Sequence, residues 1–335
     1  MADNSLTPKV LVEANIPYID RLTQVADVVR LAPEEFTPEA VRDADAIVVR
    51  TRTRCNAALL EGSRVKFVGT ATIGTDHIDL DWCRSVGITV ANAPGCNARA
   101  VAEYVFGSIA HLLPGPLSQY TIAVVGVGHV GSIVECWAKS LGMKVIPVDP
   151  PRQRAEGGAQ WRTLADAAAE ADIITFHTPL TRTGEDATYH LASAEFFESL
   201  QRKPLVINAA RGPVADTKAW LDALRSGRCR AAVIDCWEGE PAINRELLEA
   251  AAVATPHIAG YSRLGKMRAS QMVTDALTAC FGLRPVELFD EPLPPTPAAI
   301  TEADAFAAYD PRPDTAALRA APEAFESLRN HYHLR

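Results

Sequence analysis

Short β-branched runs alternate along the chain with stretches of helical periodicity. The runs are Val10 to Val12, Asp45 to Val49, Phe67 to Gly69, Ile88 to Ala91, Ile122 to Gly126, Val145 to Val148, Ile173 to Phe176, Leu205 to Asn208, Ala232 to Asp235 and one ending at Val253. Runs that are apolar throughout predict strands buried on both faces, and their alternation with helices predicts parallel sheets joined by helical crossovers. The runs up to Ala91 form one unit and those from Ile122 onward a second. The pattern therefore predicts an α/β protein of two doubly wound parallel-sheet domains.

Between the two units, Ala98 to Leu113 reads as a long apolar helix stopped by Pro114-Gly115-Pro116, where proline lacks the N–H and the φ freedom to continue. This helix is the expected hinge. A second helical run, Leu264 to Phe281, follows the last strand and would return the chain to the first sheet. The expected domains are residues 1–97 completed by 262–282, residues 98–261 including the hinge helix 98–113, and a short C-terminal extension, 283–335. The extension is proline-rich and acidic up to Pro313, then shows a short helical pattern from Asp314 to Asn330. It is too small to bury a core of its own, so it is expected to pack on the body or on another subunit.

Composition narrows the classes. Apolar residues make up 48% and charged residues 22%, the balance of an ordinary globular chain. No run reaches the ~18 uncharged apolar residues of a membrane span. The start, Met1 to Lys9, lacks a basic and then apolar leader, so a cytoplasmic protein without a membrane partner is expected. Seven cysteines without a CxxC pair fit reduced thiols better than disulfides or zinc. A net charge of −8 opposes nucleic-acid binding. Arg50, Arg52 and Arg54 interrupt that acidic background; on composition alone they read as a solvated strand end.

The chemistry begins at Thr121 to Gly131, where a buried strand runs into Gly126-x-Gly128-His129-Val130-Gly131 and then a helix through Leu141. In a dinucleotide-binding turn the first glycine permits the tight bend, the second lets a pyrophosphate approach, and the third lets helix and strand pack closely. The phosphate charge then rests on unpaired N–H groups at the helix start. The next strand ends at Asp149, 18 residues past Gly131, where a carboxylate suits both ribose hydroxyls and repels a 2′-phosphate. NAD is therefore the expected cofactor, although Arg152 and Arg154 close behind weigh toward NADP.

Three later strands each end in a charged group: Asn208-Ala-Ala-Arg211-Gly212, Asp235-Cys-Trp-Glu-Gly-Glu240-Pro241 and Thr255-Pro-His257. In open α/β sheets ligands bind at those carboxyl ends. Oxidising a 2-hydroxy acid needs a cation for the carboxylate and a base for the hydroxyl proton. Arg211 offers a planar fork for the first, and His257 titrates near neutrality for the second, with Glu240 to orient it. Loop order puts Asp235 on the nicotinamide side. Taken singly, Arg211 also fits a phosphate contact, Glu240 a turn residue and His257 a loop histidine.

These residues resemble the D-isomer-specific 2-hydroxyacid dehydrogenase family, whose pattern has arginine in Asn-x-x-Arg-Gly, glutamate before proline and histidine in Thr-Pro-His. The likeness spans roughly residues 9 to 282, and its closest segments include Gly69 to His77, Pro94 to Asn97, Asp149 to Pro151, Phe176 to Leu180, Trp237 to Pro241 and His257 to Tyr261. It implies a Rossmann NAD domain, a flavodoxin-like substrate domain, a small anionic substrate and a homodimer. It further implies that Thr51, Thr72 and Tyr261 contact substrate, with Arg50 near a phosphate end. Thr178, Ala209, Ala210, Arg211, Asp235 and Gly260 would line the NAD site. Within the family the likeness is to members acting on 4-phospho-D-erythronate, but the region after Gly282 is shorter than expected and Thr51-Arg52-Thr53-Arg54 is richer in guanidinium groups.

Two alternatives stay open: an NADH-dependent reductase of another 2-keto acid bearing a phosphate or phosphonate, such as phosphonopyruvate, and a non-catalytic NAD-sensing protein. His77 between Asp76 and Asp79 lacks a fourth ligand in the sequence, so no metal site is expected.

Overall fold

A computed structural model describes residues 7–335, so Met1 to Leu6 of the polar opening stretch lie outside the described residues. The chain forms two compact units. One comprises the residues up to Asn97 with Ser262–Pro295, the other Ala98–Tyr261 with Thr296–Arg335.

The first unit is a five-stranded parallel sheet of β1 (Lys9–Glu13), β2 (Asp27–Leu31), β3 (Ala46–Val49), β4 (Phe67–Thr70) and β5 (Thr89–Ala91), in the order β2-β1-β3-β4-β5. This is the flavodoxin-like order. Alternate residues feed opposite faces: Val10, Val12, Ala46 and Val48 pack with Val273 and Leu277 of helix Arg263–Cys280, whereas Leu11, Ile47, Val49 and Val68 pack on the other side. Strand β2 was not expected from sequence. It is an edge strand with Asp27 and Arg30 exposed, and so lacks the continuous apolar run that marks the central strands.

The second unit holds β6 (Thr121–Val125), β7 (Lys144–Val148), β8 (Ile173–Phe176), β9 (Leu205–Asn208), β10 (Ala231–Ile234) and β11 (Val253–Ala254), all parallel, in the order β11-β10-β9-β8-β6-β7. Dinucleotide folds commonly carry one more strand outside the second. Here that place holds a backbone hydrogen bond from Arg162 to the Pro147 carbonyl. The order of strand succession reverses at β6, so the glycine loop after β6 and the loop after β8 flank the switch point, where such sheets bind ligands.

The tail is divided: residues 283–295 lie with the first unit, and from Thr296 onward it packs on the second. Helix Glu302–Ala308 lies on helix Ala98–Leu112 at Gly107, where an added Cβ would stand 2.4 Å from the Tyr309 carbonyl. Tyr309 stacks on Tyr104 with centroids 4.9 Å apart, and the Ala254 amide donates to Thr315 Oγ1. The helical pattern expected from Asp314 to Asn330 is two helices, Arg312–Ala320 and Phe325–Asn330, separated by a turn at Pro322. Their Leu318 and Phe325 are fully buried in the core, each worth roughly 1.5–3 kcal/mol of burial. Among the described residues, no helix is long and apolar enough to cross a membrane.

Candidate active site

The glycine loop has the steric form its motif implies. Gly126 has φ +87°, and a Cβ there would press on the His177–Thr178 backbone at 2.8 Å. Gly131 packs so closely that a Cβ would lie 2.0 Å from the Gly126 carbonyl, whereas at Gly128 a Cβ would meet nothing within 4 Å. The loop thus leaves room at its middle glycine, directly before helix His129–Ser140, where His129 and Val130 form the first turn. Beside it, Thr178 Oγ1 and His177 Nδ1 are buried without hydrogen-bond partners. Burial pushes the His177 imidazole down to about 3, so it stays neutral.

Asp149 follows β7. Its Oδ2 accepts from the Val127 amide at 2.8 Å and its Oδ1 from the Arg152 amide at 3.0 Å, capping helix Pro150–Glu156. The carboxylate is thereby aimed at the loop. Arg152 is held by Glu156 and Arg154 by Asp186, so both cations that weighed toward a 2′-phosphate have carboxylate partners. An open middle glycine, an orphaned buried hydroxyl and a loop-directed carboxylate fit a dinucleotide without a 2′-phosphate.

Of the three charged strand ends, those after β10 and β11 meet through Glu240 and His257, and the Arg211 loop after β9 adjoins them where Cys236 Sγ donates to the Ala210 carbonyl. His257 Nδ1 lies 2.9 Å from Glu240 Oε2, and Glu240 Oε1 accepts from the Trp237 amide at 2.7 Å. His257 has φ +56°, a backbone conformation that costs a non-glycine residue energy and recurs at functional sites. Asp235 secures that conformation: 1% exposed, it accepts from Thr255 Oγ1 at 2.7 Å and from the amides of Ile258 and Ala259 at 2.7 and 3.0 Å. The same loop continues through Gly260 to Tyr261. Arg211 caps a short turn after β9; its Nη1 donates to the Ala210 carbonyl, and buried Asn208 ties the Ala209–Ala210–Arg211 loop through the Ala210 amide and Arg211 carbonyl.

Burial works against a charged His257, but the neighbouring Cys236 and Glu240 outweigh it and hold the imidazole pKa well above the usual value. Burial likewise opposes ionised Glu240, and His257, the Trp237 amide and Arg329 bring its pKa below the carboxylate norm. Cys236 went unread as a site residue from sequence. Its sulfur lies with the Glu240 and His257 ligand atoms inside 4.8 Å, the arrangement a metal ion could use, yet the Arg329 charge beside Glu240 opposes a cation there.

Arg50, Thr51 and Thr72 stand on the first unit after β3 and β4. The Arg50 amide donates to buried Glu13, Thr51 is exposed, and Thr72 Oγ1 donates to the Gly74 carbonyl. Lys266, which the sequence gave no reason to single out within its helical run, faces Arg50: burial and that guanidinium push its amine down to about 8. His77 hydrogen-bonds Thr70 at 3.1 Å.

Residues 97–259 match the D-isomer specific 2-hydroxyacid dehydrogenase, NAD binding domain. The chain is 47% identical to the erythronate-4-phosphate dehydrogenase of Bacteroides thetaiotaomicron, over 98% of this chain and 96% of that one. It is 40% identical to the enzyme of the same name from Pseudomonas fluorescens, over 97% and 92%. Among solved structures, D-lactate dehydrogenase from Aquifex aeolicus, complexed with NAD and lactic acid, superposes with a TM-score of 0.68 at 24% identity, over 82% of this chain and 96% of that one. A Thermus thermophilus protein gives 0.69 at 27%, over 83% and 98%. The chain belongs to the D-isomer specific 2-hydroxyacid dehydrogenase family. It is an NAD-dependent dehydrogenase, similar over nearly its whole length to proteins named erythronate-4-phosphate dehydrogenase.

Proposed function

We propose that the protein oxidises 4-phospho-D-erythronate at C2 to the 2-keto acid. The observation that carries the reaction is the Glu240–His257 hydrogen bond in a loop pinned by Asp235, with Arg211 on the neighbouring strand end. NAD, held by Gly126, Gly128, His129, Val130, Gly131, Asp149, Thr178, Ala209, Ala210, Arg211, Asp235 and Gly260, supplies the hydride acceptor. Because Nδ1 is committed to Glu240, His257 takes the C2 hydroxyl proton at Nε2. Arg211 binds the carboxylate and polarises the C2 oxygen.

The phosphate preference rests on the names of the relatives and on charge. Arg50 and Lys266 place two facing cations on the first unit, and Thr51, Thr72 and Tyr261 complete the proposed substrate contacts. Exposed Arg52 and Arg54 favour a second reading, reduction of another phosphorylated or phosphonylated 2-keto acid. The protein is further proposed to work as a homodimer in the cytoplasm, where its seven thiols, all free, stay reduced.

The test is NADH formation or consumption with 4-phosphoerythronate, 3-phosphoglycerate, D-lactate, phosphonopyruvate and 2-keto-4-phosphoerythronate. Preference for the four-carbon phosphate pair is expected. Reduction of phosphonopyruvate with phosphoerythronate ignored would replace the named substrate, and no turnover with any acid alongside tight NADH binding would favour an NAD sensor.

A further inference from the structure

The acid–base pair has a neighbour from far along the chain. Helix Phe325–Asn330 is anchored by fully buried Phe325 and brings Arg329 to the loop that follows β11. The Arg329 guanidinium hydrogen-bonds the Tyr261 phenol and stands beside the Glu240 carboxylate, while Glu326 on its own helix is 3.7 Å away. Arg329 Nε is buried without a hydrogen-bond partner. The following residues grip the same loop: the Tyr332 ring meets Tyr261 edge-on at 6.2 Å, and Arg335 Nη2 donates to the Ala259 carbonyl at 2.6 Å.

Largely burying a guanidinium is unfavourable unless another charge answers it, and an apolar side chain would fill the same space without that cost. Here the answering charges are Glu240 and, on its own helix, Glu326. We propose that Arg329 is a positioning residue of the active centre, holding the Tyr261 phenol and supplying the positive charge that balances Glu240 beside His257. This rests on the reading of His257 as the base.

The groups facing His257 are Asp235, Cys236 and Glu240 from the β10 loop, with Arg329 reaching the cluster through Glu240 and Tyr261 from its own helix. Of these, ionised Glu240 carries the negative charge that tightens the imidazole's hold on its proton, whereas burial pushes the Cys236 thiol and the Asp235 carboxyl up. A base that never releases its proton cannot accept the next one. The Arg329 charge loosens that hold.

The experiment follows the imidazole of His257 by NMR across pH in the full-length protein, its signal assigned by absence in His257→Ala. Arg329→Met and Arg329→Gln remove the charge, and Arg329→Lys keeps it. In both neutral variants the His257 midpoint should rise by about one unit, and in Arg329→Lys it should stay close to wild type. A neutral variant with the wild-type midpoint, or a lysine variant that moves as far as the neutral ones, would overturn the proposal. The readout needs no turnover, so it stands or falls separately from the catalytic role of His257, which His257→Ala tests by rate.

Discussion

His257 Nδ1 and Glu240 Oε2 are 2.9 Å apart, and since a carboxylate only accepts, the proton between them belongs to the ring. That leaves Nε2 for substrate. The imidazole pKa lies well above its ordinary 6.5, because Cys236 and Glu240 outweigh the burial that would lower it. Oxidation requires the neutral ring, so kcat for oxidation should climb with pH through a limb above 6.5, while reduction is favoured below that limb. Glu240→Gln removes a negative neighbour; the limb should move to lower pH and turnover fall about 100-fold. A pH–rate profile with the limb unmoved would detach Glu240 from this role.

Two glycines of one loop should differ in stability while both lose NADH affinity. Gly131→Ala puts a Cβ 2.0 Å from the Gly126 carbonyl, so the strand–helix packing must yield, with a melting temperature several degrees lower and NADH binding lost. Gly128→Ala meets nothing within 4 Å and should melt like wild type. Its NADH affinity should still drop roughly tenfold or more, because the methyl occupies the approach of the pyrophosphate. Thermal melts and NADH fluorescence titrations distinguish the two, and a Gly128→Ala protein with wild-type affinity would remove the loop from the cofactor site.

Asp149 combines a structural task with the proposed recognition of ribose. Asp149→Ala should cost ~1 kcal/mol through the lost cap on helix Pro150–Glu156, together with NAD affinity. Asparagine also caps well, so Asp149→Asn should keep the melting temperature while weakening NAD binding. Neither change should confer NADP use, since Arg152 and Arg154 remain paired with Glu156 and Asp186. Efficient NADP turnover by Asp149→Asn would show those pairs to be readily broken.

Arg211→Lys keeps the charge but loses the planar fork. If Arg211 grips carboxylate and C2 oxygen together, kcat/KM should fall about 100-fold or more in the lysine variant as well as in alanine, with NADH affinity changed much less. Lysine restoring near wild-type kcat/KM would reduce the role of Arg211 to simple charge.

What the sequence made legible were features carried by local pattern. Central strands such as Ile173–Phe176 and Leu205–Asn208 are apolar on both faces, and the Gly126–Gly131 turn has a fixed spacing, so each is readable within a short window. Edge strand β2 escaped because Asp27 and Arg30 meet solvent, and the place outside β7 carries a single backbone bond rather than a run. Helix Glu302–Ala308, with exposed Phe306 and a proline-rich approach, has no clear apolar face in sequence; it owes its place to the bare Gly107 surface. Lys266 and Arg329 were invisible for a different reason. Each is an ordinary surface-type residue within a helical pattern, and only tertiary structure brings it to Arg50 or Glu240.

The gripping of loop 257–261 by residues 329–335 also sets an order of events in folding. Sheet strands β6 to β11 and the glycine loop are synthesised before residues 262–295, which join the other unit, and before helix Phe325–Asn330. A nascent chain can therefore assemble its nucleotide turn while the loop bearing His257 still lacks its clamp. Contacts that close such long loops form late, because their entropy must be met before they return any stability. The nucleotide turn should form before the loop that carries the base is fixed.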